Sequence, residues 1–309
     1  MGFAMVFSLK HATKINGSFI KKVLFRGILL IIIGFFLNFC DGFFSRLFEG
    51  YGSAAFMDAL HNLRFYGILQ RMGFIYIVGA FIIMFAKKDA KKILIIAGTM
   101  LFAYLFILGF GHGYEYSSEN IIFVVDNSII PDNHLYHRTI DGVRLALDPE
   151  GLVSMIPAIA QLLLAFGIGK LFIEHKNDNA EKATLFLFAY STLLIILGLV
   201  LSTFCPLLKR VWSTSFTVLT TGIAFIVIAL FSFMTLKKPH EKGFLILKVL
   251  GVNALGIFVI SNFITYLFKY VPFADHTLQY YLNDILCRIC MGNLYFGCFF
   301  YALLLLSLI

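Results

Sequence analysis

Ile93-Leu-Ile-Ile-Ala-Gly-Thr-Met-Leu-Phe-Ala-Tyr-Leu-Phe-Ile-Leu-Gly-Phe-Gly111 runs for nineteen residues without a charge, directly after Lys87-Lys-Asp-Ala-Lys-Lys92. As a helix, a run of that length crosses about 30 Å of hydrocarbon. Seven further apolar stretches recur at 24–40, 66–86, 151–173, 184–204, 214–235, 246–268 and 291–309, the first and last near the short limit. Most lack an amphipathic period, as suits helices surrounded by lipid. The sequence therefore predicts an all-α, polytopic transmembrane helix bundle of about eight spans.

Composition points the same way. Of 309 residues, 60% are hydrophobic and only 14% charged, and the mean hydropathy is +0.89. A water-soluble domain of this size needs more polar surface to cover its core. Met1 to Leu9 is too short, and wrongly flanked, for a secretory signal. The five cysteines (40, 205, 287, 290, 298) have no disulfide-framework spacing, and Cys287-Arg-Ile-Cys290 has no second pair for structural zinc.

The net charge of +8 is distributed by topology. With the N-terminal segment in the cytoplasm, sixteen of the 25 basic residues face that side, among them Lys10, Lys14, Lys21, Lys22, Arg26, Lys87, Lys88, Lys91, Lys92 and Lys170. Twelve of the 17 acids fall on the other. This is the positive-inside asymmetry, with both termini cytoplasmic for an even span count, and no nucleic-acid partner is called for. The external side carries the long connections, 112–150 without visible periodicity and 41–65, whereas the cytoplasmic turns are short. With no internal repeat or low-complexity tract, one transmembrane domain over 1–309 is the simplest organisation.

Several polar residues stand out against this background. Arg71 falls inside the second span, where a guanidinium needs a bundle interior, a wet cavity or a partner. Arg64 lies seven residues earlier, on nearly the same face if the helix begins there, and Gln70 is adjacent. Two guanidiniums so placed suit a phosphate- or carboxylate-bearing ligand; pairing with an acid of another helix, or snorkelling, fits as well. Asp148-Pro-Glu-Gly151 reads equally as a helix start, with Asp as cap and Pro at the first position, or as a pair of carboxylates, Asp148 and Glu150, for acid–base chemistry. Pro157 is expected to kink its span. Lys209-Arg-Val-Trp212 reads as an interfacial anchor or as a platform for a sugar ring. Asn253, between Gly251 and Gly256, reads as a buried amide joining helices. His134-x-x-His137 near Asp132 has metal-like spacing but no further ligands, so no metal is expected.

Taken in order, these segments resemble the heparan-alpha-glucosaminide N-acetyltransferase family. Leu63-Arg-Phe-Tyr-Gly-Ile-Leu-Gln-Arg-Met-Gly73 is similar to its "(L/V)R-I-P-G-V-L-Q-R-(I/L)-G" signature, and Asp148-Pro-Glu-Gly-Leu-Val-Ser-Met-Ile-Pro-Ala-Ile159 to its "DPEGLLSTIPAI" segment. Lys209-Arg-Val-Trp-Ser-Thr-Ser-Phe216 resembles "NKxLWSxSYV", Gly251-Val-Asn-Ala-Leu255 resembles "G-x-N-(A/S)-(L/I)", and Asp132-Asn-His-Leu-Tyr136 resembles "GxxHLY".

The resemblance implies transfer of acetyl from cytoplasmic acetyl-CoA, as co-substrate, to an amino sugar or glycan across the membrane. It implies a bacterial member in the cytoplasmic (inner) membrane, partnered by the bilayer, acyl-CoA and an external glycan, with self-association into a homo-oligomer left open. Asp148 and Glu150 would be catalytic. Arg64, Gln70, Arg71, His134, Lys209, Trp212 and Asn253 would bind donor or acceptor. The family opens with a helix and a second segment "HAxWxGxxxxDxxFPxFxFxxG" bearing its presumed catalytic histidine. Met1-Gly-Phe-Ala-Met-Val-Phe-Ser8 aligns with the tail of that segment, so the two helices and that histidine are expected to lie outside this chain. A small-molecule transporter and a catalytically incomplete remnant are the alternatives.

Overall fold

The computed structural model describes residues 1–10, 12, 14–140, 142–237, 245–273 and 276–289; the expected span 291–309 and Cys290 lie outside them. Helices follow one another as α1 (Gly2–Ser8), α2 (Gly17–Arg46), α3 (Ala55–His61), α4 (Ile68–Phe85), α5 (Ala90–Phe110), α6 (Ile121–Ile129), α7 (Met155–Asp178), α8 (Ala180–Leu201), α9 (Thr214–Lys237), α10 (Leu245–Val252), α11 (Ala254–Tyr270) and α12 (Leu278–Ile289). Among the described residues, strands are confined to two short antiparallel hairpins, β1 (Arg138–Ile140) with β2 (Val143–Leu145) and β3 (Pro272–Phe273) with β4 (His276–Thr277). Among the described residues, six helices are long and apolar enough to cross a membrane: α2 with its continuation to His61, α4, α5, α7, α8 and α9.

Local chemistry sets the boundaries. Asp89 opens α5, its carboxylate accepting from the Lys91 and Lys92 N–H groups at 2.9 and 3.2 Å, and Asn179 opens α8 through the Lys182 N–H. Five sequence expectations change. The expected span 246–268 is interrupted at Asn253 (φ −100°, ψ 15°), which parts α10 from α11, although its N–H still bonds the Val249 carbonyl at 3.1 Å and its carbonyl accepts the Ile257 N–H. Asn253 is exposed rather than buried. The connection 41–65 is largely helical, because α2 continues to Arg46 and, after a turn at Gly50 with φ of 96°, resumes as α3. The segment 112–150 contains α6 and the first hairpin; Asn120 caps α6 by accepting from the Ile122 N–H, and nine residues are too few to show in a long window. Pro157 falls in the first turn of α7, where its missing N–H has no ladder partner to lose, so no kink follows.

The chain packs as two compact units, residues 1–34 with 64–239 and residues 35–63 with 240–309. In the first, α7 is central: 61% of its span is buried, against 22% for α8. Its core joins Met5 of α1 and Leu9 just beyond it, Val23 of α2, Ile83 of α4, Ile93 and Ala97 of α5, and Leu163 and Phe166 of α7. α2 and α4 approach at Gly27 and Gly73, where a Cβ on Gly73 would overlap the Gly27 carbonyl; small residues allow such contact where lipid supplies no hydrophobic drive between helices. Outward faces remain apolar, as with Ile95, Phe102, Phe106 and Phe110 along α5. Within the second unit, Arg46 pairs with Asp58, and the Tyr270 hydroxyl donates to Asp41 at 2.8 Å.

Candidate functional site

The polar cluster of the first unit grows from the turn Asp148–Ser154 that precedes α7. Asp148 does not cap that helix, which begins two turns of chain later at Met155. Its carboxylate instead receives the Arg64 guanidinium in a fork, Nε to Oδ2 at 2.9 Å and Nη2 to Oδ1 at 2.6 Å. The same Nη2 donates to Glu150 Oε2 at 2.6 Å. Asp148 also accepts the Glu150 N–H at 3.0 Å and the Tyr136 N–H at 3.3 Å, and the Tyr136 ring lies 4.8 Å from the guanidinium carbon. Asp148 is fully buried, while the Glu150 side chain keeps 19% exposure and so is the carboxylate within reach of a ligand. Burial, helped by neighbouring Asp148, raises the Glu150 carboxyl against the pull of Arg64. Burial alone would lower the Arg64 guanidinium, but the hydrogen bonds and charges of Asp148 and Glu150 outweigh it and raise its pKa.

Arg64 and Arg71 do not share a helix face, because α4 starts only at Ile68. Gly67, with extended backbone, precedes it. The two arginines reach the same turn by separate routes. Arg71 is buried and donates to the Pro149 carbonyl at 3.3 Å and the Ser154 carbonyl at 2.9 Å. Its guanidinium carbon lies 4.2 Å from the centre of the Trp212 ring. The indole N–H donates to Gln161 Oε1 at 3.1 Å, and the Gln161 amide donates to Thr220 at 3.1 Å. Trp212 takes a left-handed conformation (φ 52°, ψ 49°) at the end of a short turn.

Asp126 was invisible as a candidate in the sequence. It lies on α6, in a segment taken for featureless loop, and is fully buried. One carboxylate oxygen accepts from the Leu152 N–H at 2.9 Å and the Tyr66 hydroxyl at 3.4 Å. The other has no hydrogen-bond partner among the described residues and lies against Gly151, where a Cβ would overlap it. Burial, and secondarily the charge of Asp148, raises its pKa to about 6 despite the Leu152 N–H. A lone Asp amid Ile121-Ile-Phe-Val-Val125 is the signal that could have exposed it.

The remaining sequence candidates are placed variously. His134 stacks on Phe65 with ring centres 4.2 Å apart, and its carbonyl accepts the Phe65 N–H, so it braces the chain beside Arg64. Gln70 is buried and packs against Gly34 of α2, where a Cβ would meet its amide oxygen. Lys209 is exposed and makes no ion pair among the described residues. Asn253 belongs to the second unit. His137 pairs with Asp132 at 2.9 Å. No three His, Cys, Asp or Glu side chains gather as a metal site among the described residues. The cluster joins a hydrogen-bonded carboxylate pair, two arginines and an aromatic face, a set able to hold an anionic or polyhydroxyl ligand and to move a proton.

No family model matches the sequence. Among curated proteins, heparan-alpha-glucosaminide N-acetyltransferase of Mus musculus is 28% identical over 114 residues, 34% of this chain. The chain is thus similar to an N-acetyltransferase over part of its length, and the match spans 17% of the mouse protein.

Proposed function

We propose that this multi-pass membrane protein is an acyltransferase that passes acetyl from acetyl-CoA on the cytoplasmic side to an amino sugar or glycan on the external side. The observation that carries the reading is the convergence of Arg64, Arg71, Asp148, Glu150 and Trp212, from three separate segments, around one turn. The partial likeness to an N-acetyltransferase supports the chemistry. In this reading Glu150, the more exposed carboxylate with the raised pKa, accepts the proton from the acceptor amine as its nitrogen attacks the thioester carbon. The C–N bond forms, the C–S bond breaks, and the proton passes on to the departing CoA thiolate. Arg64 and Asp148 hold Glu150 in place, and the Trp212 face turned away from Arg71 takes the sugar ring. The long segment 112–150 lies outside, both termini lie in the cytoplasm, and the chain acts as one transmembrane domain in a bacterial inner membrane.

The test is reconstitution of the protein in vesicles with acetyl-labelled acetyl-CoA on one side and glucosamine on the other. Labelled N-acetylglucosamine on the glucosamine side is the expected product. Absence of both amine acetylation and CoA release would overturn the proposal, and glucosamine flux without acyl-CoA would replace it by transport.

A further inference from the structure

Away from that cluster, the end of α1, the turn between α4 and α5, and α7 line an open pocket of about 320 Å³. Lys10, Lys87, Lys88 and Lys170 line it together with a single acid, Glu174. The rest of its wall is Val6, Phe7, Phe166 and Ile173, with Asn177 as one further polar group. The lysines divide into two kinds. Lys88 Nζ donates to the carbonyls of Leu9, Lys10 and Ala12, at 3.1, 3.4 and 2.5 Å, and so closes the end of α1. Lys170 donates to the Lys88 carbonyl and pairs with Glu174 at 3.6 Å. These two build the floor. Lys10 and Lys87 are exposed and make no ion pair among the described residues.

The turn itself is unusual. Lys87 and Lys88 both have left-handed backbones, with φ of 53° and 55°, a conformation that side-chain-bearing residues avoid. Both follow from the helix end: the Lys87 N–H bonds the Met84 carbonyl and the Lys88 N–H the Ile83 carbonyl, each at 2.9 Å, a Schellman close of α4 with Lys87 left-handed. The turn brings Lys87 to the same pocket as Lys10, at the depth where α4 ends, which is where phospholipid headgroups lie.

We infer that this pocket binds an anionic phospholipid, its phosphate between Lys10 and Lys87 over the Lys88–Lys170 floor and an acyl chain along Phe7, Phe166 and Ile173. Amphiphile and pocket match in charge and in their apolar side, and the site is independent of the Arg64–Glu150 cluster and of the reaction proposed for it. A soluble phosphate compound offers the same anion without the chain, and competition separates the two.

The experiment measures lipid retention by the full chain in nanodiscs of mixed phosphatidylglycerol and phosphatidylcholine, by native mass spectrometry. Retained phosphatidylglycerol is expected to fall about fivefold per lysine removed, so about 25-fold in K10Q/K87Q. K10R/K87R, which keeps the charges, is expected to retain it. K91Q/K92Q, with the same net charge change outside the pocket, is expected to lose little. Equal loss in K91Q/K92Q, or no preference for phosphatidylglycerol in the parent protein, would overturn the inference. So would displacement of the lipid by millimolar inorganic phosphate or CoA, which would make this a soluble-anion site.

Discussion

Arg71 and Trp212 face each other with the guanidinium carbon 4.2 Å from the indole centre, joining the start of α4 to the turn that precedes α9. Out of water such a pair is worth about 2 kcal/mol, and the indole N–H bond to Gln161 adds about 1 kcal/mol. Trp212→Leu removes both and leaves Gln161 with an unfilled acceptor. Thermal unfolding in detergent is expected to show a loss of about 3 kcal/mol. Trp212→Phe keeps an aromatic face, loses the hydrogen bond, and should fall between. Equal losses for both variants would show that the ring face contributes nothing.

The Arg64 fork predicts an asymmetry between conservative substitutions. Arg64→Lys keeps the charge but cannot donate at once to both Asp148 oxygens and to Glu150, so most of the stabilisation should be lost. Breaking a largely buried pair costs about 3 kcal/mol. Arg64→Ala with Asp148→Asn should cost less than Arg64→Ala alone, because one unpaired buried charge goes with its partner. A double-mutant cycle by chemical denaturation measures the difference; additive losses would contradict the pairing.

The proposed roles of the two carboxylates separate by kinetics. Glu150→Gln should lower turnover by 10²–10⁴-fold, the usual worth of a general base, with little change in thermal stability. Asp148→Asn should lower stability first, since that residue is buried and held by Arg64 and two backbone N–H groups. If Glu150→Gln retains full acetyl transfer in the vesicle assay, the base lies elsewhere.

What could be read in advance depended on range. Apolar run length exposed the spans, because a residue's tolerance of lipid is a property of that residue alone. The Arg64–Asp148 pair joins positions 84 residues apart, and the family resemblance, not spacing, brought them together. Asp126 escaped both readings, since its importance comes from the Gly151 backbone that closes over it. The break at Asn253 was missed because hydropathy averages over the one residue whose backbone departs from the helix.

Close helix approach makes Gly73 a sharp test of the packing in the first unit. A methyl group there would overlap the Gly27 carbonyl and crowd Ile31, both on α2, and backbone cannot yield as a side-chain end can. Gly73→Ala should therefore destabilise by about 1–3 kcal/mol despite the better helix propensity of alanine. Gly98→Ala, on α5 where nothing lies within 4 Å, should be neutral or slightly stabilising. Matching melting temperatures for the two variants would count against the contact.

Asp126 gives the protein a pH dependence whose sign is unusual for a carboxylate. Its pKa rises from 3.8 to about 6 on folding, so between those values the folded chain binds the proton more tightly than the unfolded one. Stability contributed by this group is then fully present below pH 3.8, declines as pH rises towards 6, and stays lost above, by about 3 kcal/mol. Glu150, also raised, adds a slope of the same sign, so the parent protein alone cannot isolate Asp126. Asp126→Asn can. The amide oxygen still accepts from Leu152 and Tyr66, while the charge that opposes burial beside Asp148 is gone. The variant should melt above the parent at pH 7.5 and match it near pH 4, with the difference opening between. A constant offset across that range would show that Asp126 stays ionised in the folded protein.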